Sequence, residues 1–244
     1  MVIIILVFLV FLCWGSFLNV LACRLMRGES SLYGRSRCPC CSHVLIWHDL
    51  IPLVSWIMLS GRCRYCSKSI SWLYPFIELA TACSMTLLFF LVPSLYIPSY
   101  VIFFSALLVT IRTDIEYMLI SQCMSVYLVP IGIILSMIGL IPISILYSIT
   151  GALGGYISLY LIAHIFTWYT GKKGLGEGDI ELMAGIGAFT GPYGCWFSLL
   201  TGSIVGSVIG ILYMIFTKQS SSIKIPFGPF LAFGAIAYVL FIFL

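Results

Sequence analysis

Charged residues are scarce in this 244-residue chain. Only 8% of the residues are Asp, Glu, Lys or Arg, whereas 61% are hydrophobic and the mean hydropathy is +1.14. A soluble globule cannot bury so large an apolar fraction and cover its surface with so few charges. The scarcity therefore excludes the soluble globular class and places the chain in lipid.

Long apolar runs recur along nearly the whole chain, and one bilayer crossing needs about 20 apolar helical residues. The predicted spans are 2–22, 75–92, 99–113, 119–140, 144–168, 179–191, 194–216 and 226–244. We therefore predict an all-α, polytopic membrane helix bundle with about eight transmembrane helices. Its expected parts are a first helix at 1–23, a small zinc-binding cytoplasmic loop domain at 24–72 and a membrane core at 73–244.

The first apolar run has no basic residue in front of it and no small-residue cleavage site behind it, while Arg24 and Arg27 follow directly. We expect a retained anchor and not a removed signal peptide. Lys and Arg in short loops stay on the cytoplasmic side. With the amino terminus outside, all 12 basic residues fall at inner ends, and the outer turns 92–99 and 190–194 carry no charge. The excess of basic residues thus indicates topology, and the lack of a basic-aromatic pattern disfavours nucleic acid as a partner.

Four of the ten cysteines form two pairs in the polar stretch after the first span. The pairs, in Cys38-Pro-Cys40-Cys41 and Cys63-Arg-Tyr-Cys66, are separated by 21 residues. Two Cys-x-x-Cys turns at this separation are typical of a tetrahedral structural zinc site, because each turn directs two thiolates toward one ion. Zinc would stabilise a loop that is too small to fold unaided. The predicted ligands are Cys38, Cys41, Cys63 and Cys66.

Disulfides or unpaired thiols are the alternative for these cysteines. A cytoplasmic loop is held in a reducing environment, which disfavours disulfides. Cys40 is an extra thiol that could compete as a ligand, and the sequence leaves this open. His43 and His48 are interpreted as ordinary loop residues. The other cysteines are interpreted as small apolar side chains in or beside the spans.

Acidic residues are also few beyond the first loop: Glu78, Asp114, Glu116, Glu177, Asp179 and Glu181. Ionisable groups inside a membrane segment are costly and commonly functional. At 1.5 Å per residue, Asp114 lies about 22 Å along its helix from Ser99, and Asp179 lies about 18 Å from Gly191, within a hydrocarbon core about 30 Å thick. We predict that Asp114 and Asp179 face each other in a pocket open to the cytoplasm.

A pair of carboxyl groups can hydrolyse a peptide bond without a nucleophilic side chain. Like-charge repulsion lets two close carboxyl groups share one proton near neutrality. The ionised member then activates a water molecule, while the protonated member polarises the scissile carbonyl. The pattern therefore predicts Asp114 and Asp179 as catalytic residues, and Glu116, Glu177 and Glu181 rank below them as more solvated neighbours.

Glycines precede the second aspartate in the run Gly174-Leu-Gly176-Glu-Gly178-Asp179. They allow a sharp turn and a close approach to an extended substrate, so we predict Gly176 and Gly178 as a supporting active-site loop. An N-capping role for Asp179, and pairing of Asp114 with Arg112, are the alternatives. A phosphate-binding loop is disfavoured because the run lacks the Lys-Ser/Thr ending.

Other glycines recur every four residues, and this spacing lets transmembrane helices approach closely. We interpret them as helix-packing positions. They are Gly151, Gly155, Gly202, Gly206 and Gly210.

Taken in order, the motifs resemble those of the type IV prepilin peptidases, the GxGD class of bacterial membrane aspartic proteases. The resemblance covers nearly the whole chain. It is carried by Gly15-Ser-Phe-Leu-Asn19 with Arg24, the two cysteine pairs, Ile51-Pro52 with Ser55-Trp56, Gly61-Arg-Cys63, Tyr74-Pro75 with Glu78, Asp114, Gly176-Glu-Gly178-Asp179 and Ile225-Pro-Phe-Gly-Pro229.

The resemblance implies removal of a short basic leader from precursors of type IV pilins or type II secretion pseudopilins, at the cytoplasmic face of the bacterial inner membrane. Many family members also methylate the new amino terminus, so it implies S-adenosylmethionine as a cofactor wherever that activity is present. The chain departs from the family pattern at Ser121-Gln122, where Pro-Asp is common, and at Glu181, where Lys is common.

Two other classes of function stay open at this point. A transporter would use the aspartates to couple protons or cations across the bilayer and would need no zinc loop. A membrane metalloprotein would bind partners through its cysteine domain and use the acids structurally. Replacing Asp114 or Asp179 with Asn separates them, because only a protease then loses cleavage of a prepilin.

Overall fold

The computed structural model describes residues 1–29, 34–217 and 225–244, and these residues form helices and loops with two isolated β-bridges and no strand. The predicted all-α fold is confirmed. The chain divides into two compact units, Met1–Phe90 and Leu91–Leu244. The helices are α1 (Val2–Arg27), α2 (Val54–Met58), α3 (Leu73–Leu91), α4 (Ile97–Tyr117), α5 (Gln122–Ser125), α6 (Leu128–Met137), α7 (Ile145–Thr170), α8 (Glu177–Thr217) and α9 (Gly228–Ile242).

Five of these helices are long and apolar enough to cross a membrane, namely α1, α3, α4, α7 and α8. The stretch containing α5 and α6 and the helix α9 are shorter apolar segments. Because α8 contains two of the predicted spans, the helical segments number about eight, as predicted. Lys218 and Lys224, which the topology prediction used, lie outside the described residues.

The two spans predicted at 179–191 and 194–216 are the two parts of α8, which breaks at Gly191 (φ 70°, ψ −175°). The next residue, Pro192, has no N–H to donate to the carbonyl of Ala188. The hydroxyl of Ser148 in α7 donates to that carbonyl instead, at 2.7 Å. A neighbouring helix thus satisfies the backbone group that the proline leaves free, as lipid-embedded helices require.

The span predicted at 119–140 differs from the structure, which contains two short helices in this stretch. Val126 and Tyr127 separate α5 from α6. Pro130 lies in the first turn of α6 and has no N–H. A continuous helix from α5 would need that N–H to bond to the carbonyl of Val126. The proline is tolerated where it stands because the first-turn N–H groups of a helix have no intrahelical partner.

Glycines allow α7 and α8 to pack backbone against backbone. A Cβ at Gly151 would collide with the carbonyl oxygen of Gly187, and a Cβ at Gly155 would lie 2.6 Å from the carbonyl oxygen of Met183. A Cβ at Gly202 would lie 3.1 Å from the backbone of Phe230 in α9. A Cβ at Gly206 would lie 3.0 Å from the ring of Phe230, and one at Gly210 would lie 3.1 Å from the side chain of Ile225. The packing interpretation of these glycines is confirmed, and it explains how α8 is held between α7 and α9.

In the first unit, α1 and α3 pack through positions that the sequence analysis identified as family motifs. A Cβ at Gly15 would lie 2.9 Å from the Cα of Glu78, and the amide of Asn19 donates to the carbonyl of Tyr74 at 3.0 Å. The buried carboxylate of Glu78 accepts the N–H of Leu53 at 2.9 Å. Glu78 therefore ties the polar loop to the helix pair.

Candidate active site and cysteine cluster

Asp114 lies in the last turn of α4 and is buried, with 6% of its surface exposed. Its Oδ2 accepts the backbone N–H of Gly228, the first residue of α9, at 3.1 Å. The contact brings together residues that are 114 positions apart. The carboxylate is thus oriented by the beginning of another helix.

Asp179 lies in the first turn of α8 and is 9% exposed. Its Oδ2 lies so near Gly176 that a Cβ there would be 3.1 Å from it. Its Oδ1 is buried and has no hydrogen-bond partner among the described residues. A buried carboxylate oxygen without a partner is costly in a purely structural aspartate, so this oxygen indicates a functional site.

Ile120 is the side chain on which the two aspartate segments converge. A Cβ at Gly178 would lie 2.9 Å from the Cβ of Ile120, and a Cβ at Gly228 would lie 3.0 Å from its Cδ1. The carboxylates of Asp114 and Asp179 are close enough to interact electrostatically. The structure therefore brings together both predicted aspartates and both predicted loop glycines.

The three neighbouring glutamates have partners of their own. Glu116 pairs with the buried Arg112, and Glu177 is exposed and lies 3.4 Å from the ammonium group of Lys173. Glu181 accepts a hydrogen bond from the hydroxyl of Ser125 at 3.0 Å. Their pairing agrees with ranking them below the two aspartates.

In the first unit, the four predicted cysteines form a cluster. The sulfur atoms of Cys38, Cys41, Cys63 and Cys66 all lie within 4.8 Å of one another, and those of Cys38 and Cys66 are 3.9 Å apart. Zinc–thiolate bonds of about 2.3 Å place tetrahedral sulfurs about 3.8 Å apart. None of the ten cysteines forms a disulfide, and Cys40 is exposed and outside the cluster. The cluster could hold a metal ion, and its spacing fits zinc.

The two cysteine turns repeat the same backbone pattern 25 positions apart. In the first, the N–H of Cys38 bonds to the carbonyl of His43 and the N–H of Ser42 bonds to that of Cys38. In the second, Cys63, Lys68 and Ser67 make the equivalent bonds. A β-bridge flanks each turn, Arg37 with Val44 and Arg62 with Ser69. Each turn is thus a preformed two-thiol knuckle.

The backbone of the first knuckle also favours a thiolate. Burial acts to raise the pKa of Cys38, but hydrogen bonds from the backbone of Cys41 and Cys40 and from the thiol of Cys63 lower it to about 7. The N–H of Lys68 acts to lower the pKa of Cys66, yet burial and the neighbouring thiols raise it to about 12. One thiol of the cluster thus ionises readily, whereas ionisation of a second thiol beside it is unfavourable unless a bound cation compensates the negative charge.

Comparison with protein families decides the assignment of the chain. The family described as Bacterial Peptidase A24 N-terminal domain matches residues 9–92, and the Type IV leader peptidase family matches residues 101–242. The second match alone covers more than half of the chain. The chain belongs to the type IV leader peptidase family. The second match contains both aspartates, and the first contains the cysteine cluster.

Curated relatives are about a third identical to this chain over the part that aligns, which is roughly four-fifths of its length. One is the prepilin leader peptidase/N-methyltransferase of Aeromonas salmonicida strain A449, 34% identical over 200 residues, which cover 81% of this chain and 68% of the relative. Another is the type 4 prepilin-like proteins leader peptide-processing enzyme of Escherichia coli O78:H11, 33% identical over 206 residues, covering 84% and 75%. No solved structure matches the chain.

The structure of the leader peptidase also shows site residues to which the sequence analysis assigns no role. Gly228 had a signal, because it lies in the Pro-Phe-Gly-Pro motif at the start of the last predicted span. Ile120 and Ser125 had none, since their contacts with the Asp179 helix depend on how α5 and its preceding loop fold back. Such contacts follow from tertiary structure and leave no local pattern.

Proposed function

We propose that this chain is a membrane aspartic endopeptidase that removes the leader peptides of type IV prepilins or type II secretion pseudopilins, with Asp114 and Asp179 as its catalytic pair. The proposal is carried by one observation: two buried carboxylates from different helices lie together beside glycine backbone. The names of the relatives, prepilin leader peptidase and leader peptide-processing enzyme, give the substrate class. Gly176 and Gly178 form the supporting loop.

The chemistry uses one shared proton. The ionised carboxylate takes a proton from a water molecule as the water oxygen attacks the scissile carbonyl carbon, and the protonated carboxyl group gives its proton to the carbonyl oxygen. The resulting neutral diol collapses when the peptide nitrogen receives a proton and the C–N bond breaks. The leader leaves with a new carboxyl terminus, and the mature protein keeps a free amino group.

The proposed setting is the bacterial inner membrane, with the amino terminus outside and the active site facing the cytoplasm. Arg24 and Arg27 end α1, and Lys172 and Lys173 lie between α7 and the helix that carries Asp179. Basic residues at helix ends favour the cytoplasmic side. The scissile bond of a prepilin, just before its apolar segment, then meets the aspartates at the inner boundary of the membrane.

We assign a structural zinc ion to Cys38, Cys41, Cys63 and Cys66. The sulfur spacing and the two knuckles support this ligand set. Zinc bound there would join two loop segments that share little apolar core. Zinc in this position takes no part in the proteolytic step.

The relatives are also named N-methyltransferases, and we propose methylation of the new amino terminus with S-adenosylmethionine as a second activity of this chain. The mature substrate produced by the peptidase supplies the amino group that the methyl group would join. No residue of this chain is assigned to that step.

Mass spectrometry of a co-expressed precursor tests both activities together. In a host without its own leader peptidase, the chain is expected to convert a prepilin to a product shortened by its leader. Methylation adds the mass of one CH2 group to the new amino terminus, because the methyl group replaces a hydrogen. An uncut precursor, with the chain folded and in the membrane, would exclude the peptidase and leave the transporter and the membrane metalloprotein. A cut product without the added mass would exclude methylation alone.

A further inference from the structure

The two carboxylates of the proposed catalytic pair have different surroundings. Oδ2 of Asp114 accepts the N–H of Gly228. The carboxylate of Asp179 interacts with the backbone of Gly176 in its own segment, yet its Oδ1 has no hydrogen-bond partner among the described residues. Both side chains are at least nine-tenths buried. The pair is therefore asymmetric before any substrate binds.

The donor to Asp114 is the first residue of α9. N–H groups in the first turn of a helix have no partner within the helix, and the positive end of the helix dipole lies there. A carboxylate that accepts such an N–H is stabilised in its ionised form. A residue outside both aspartate segments therefore supplies the polar contact of Asp114.

The position also leaves no room for a side chain. A Cβ on residue 228 would lie 2.9 Å from Oδ2 of Asp114 and 3.0 Å from Cδ1 of Ile120. The second contact matters because Ile120 also touches the first turn of α8, which carries Asp179, through Gly178. Any larger residue at 228 would therefore push the carboxylate off its donor or force the Ile120 side chain to move.

We propose that Gly228 is a positioning residue of the leader peptidase, whose N–H orients Asp114 and keeps it as the ionised member of the pair. This rests on the proposed function. Asp179 then carries the shared proton on its unpartnered Oδ1 and donates it to the scissile carbonyl oxygen, while Asp114 accepts the proton of the attacking water. The assignment gives the Pro-Phe-Gly-Pro motif a place in the active site.

Substitution of Gly228 with Ala tests the positioning role by kinetics. We expect kcat for leader removal to fall at least about tenfold while KM stays within about threefold, because misplacing a catalytic group affects the chemical step more than substrate binding. Gly154→Ala is the matched control, since a Cβ there meets no atom within 4 Å, and its kcat is expected to be unchanged. An unchanged kcat in Gly228→Ala would overturn the proposal.

A thermal double-mutant cycle tests the contact without relying on activity. Gly228→Ala is expected to lower the unfolding temperature, and to lower it less than half as much in an Asp114→Ala background, where the added methyl group has space. Folding of the double variant when Gly228→Ala alone fails to fold would support the contact equally. Equal losses in both backgrounds, or failure to fold in both, would overturn it. Leader removal by Asp114→Asn would contradict the proposed function. The thermal double-mutant cycle would still measure the contact between Gly228 and Asp114.

Discussion

At the scale of single residues, Asp49 holds the two cysteine knuckles in register. Its side chain is 4% exposed, and it accepts hydrogen bonds from Arg64 at 2.8 Å and Tyr65 at 3.2 Å, both within the second knuckle. Tyr65 in turn contacts the ring of His43 in the first knuckle in a tilted arrangement, with ring centroids 3.6 Å apart. Asp49 therefore acts on the geometry of the cluster without being a ligand.

Asp49→Asn is expected to weaken zinc retention. The variant loses the charge-assisted bond to Arg64, so the second knuckle is less well oriented, and changes around metal ligands typically cost 10–100-fold in affinity. Competition with a chelator at neutral pH measures the effect, with an expected loss of about tenfold. Glu29→Gln, an exposed acid outside the network, is the control. If Asp49→Asn retained zinc as well as Glu29→Gln does, Asp49 would not be needed to orient the cysteine cluster.

The same residue predicts how the effect depends on pH. Partial burial acts to raise the pKa of Asp49, but hydrogen bonds from Arg64, Ile46 and Tyr65 outweigh it and hold the pKa below its usual range. A carboxyl group whose pKa is lower in the folded than in the unfolded protein stabilises the fold at pH values above its unfolded pKa of about 3.9. This stabilisation is lost as the pH falls through the folded pKa. The difference in zinc retention between the wild type and Asp49→Asn is therefore expected to stay constant from pH 6 to 8. A difference that shrinks across this range would point to another group.

At the scale of helices, the packing of α7 on α8 is the arrangement most sensitive to side-chain size. Gly151 and Gly187 face each other so closely that a Cβ on either would collide with the carbonyl oxygen of the other. Without a hydrophobic driving force in lipid, helix association depends on such close contact. The position of Asp179 at the start of α8 depends in turn on this packing.

Gly187→Ala is expected to destabilise the protein by about 1–3 kcal/mol, the usual cost of forcing an extra carbon into a packed interior. Thermal unfolding in detergent should show a clear decrease in unfolding temperature. Gly154→Ala on the open face of α7 should show none. A Gly187→Ala variant as stable as this control would mean that α7 and α8 are less closely packed than described.

The helices were predictable where one local pattern dominates, and less so where tertiary contacts decide. Apolar runs located α1, α3, α4 and α7 to within a few residues, and glycine spacing identified the α7–α8 contact. The break of α8 at Gly191 and the division of the 119–140 span accompany Pro192 and Pro130, which lack the N–H that a continuous helix needs. The carbonyl that Pro192 leaves free is satisfied by Ser148 of another helix, which the sequence does not show. The sequence could pair Asp114 with Asp179 by depth alone, but it could not show the contact of Gly228 with Asp114, which spans 114 positions.

At the scale of the whole molecule, the chain combines a first unit that contains the cysteine cluster with a second unit that contains the aspartates. The two family matches, residues 9–92 and 101–242, fall on nearly the same division. In the proposed account, the zinc assigned to the cysteine cluster stabilises the first unit, and the proteolysis assigned to the aspartates belongs to the second.

Purified protein is expected to contain zinc in a near one-to-one ratio. Cys63→Ser and Cys66→Ser should each abolish it, because loss of one thiolate leaves an incomplete tetrahedral site. Cys83→Ser, an exposed cysteine outside the cluster, should retain it. Elemental analysis gives the ratio directly, and metal-free wild-type protein that removes leaders at the full rate would reject zinc as an essential component.

The rate of leader removal by purified single and double variants tests the central claim most directly. If Asp114 and Asp179 act as one unit, Asp114→Asn and Asp179→Asn each lower the rate at least about 1,000-fold, and the double variant is about as slow as the slower single variant. Glu177→Gln, the exposed acid between the loop glycines, should keep most of the rate. Either aspartate variant retaining more than about a tenth of the wild-type rate, in folded protein, would contradict the account.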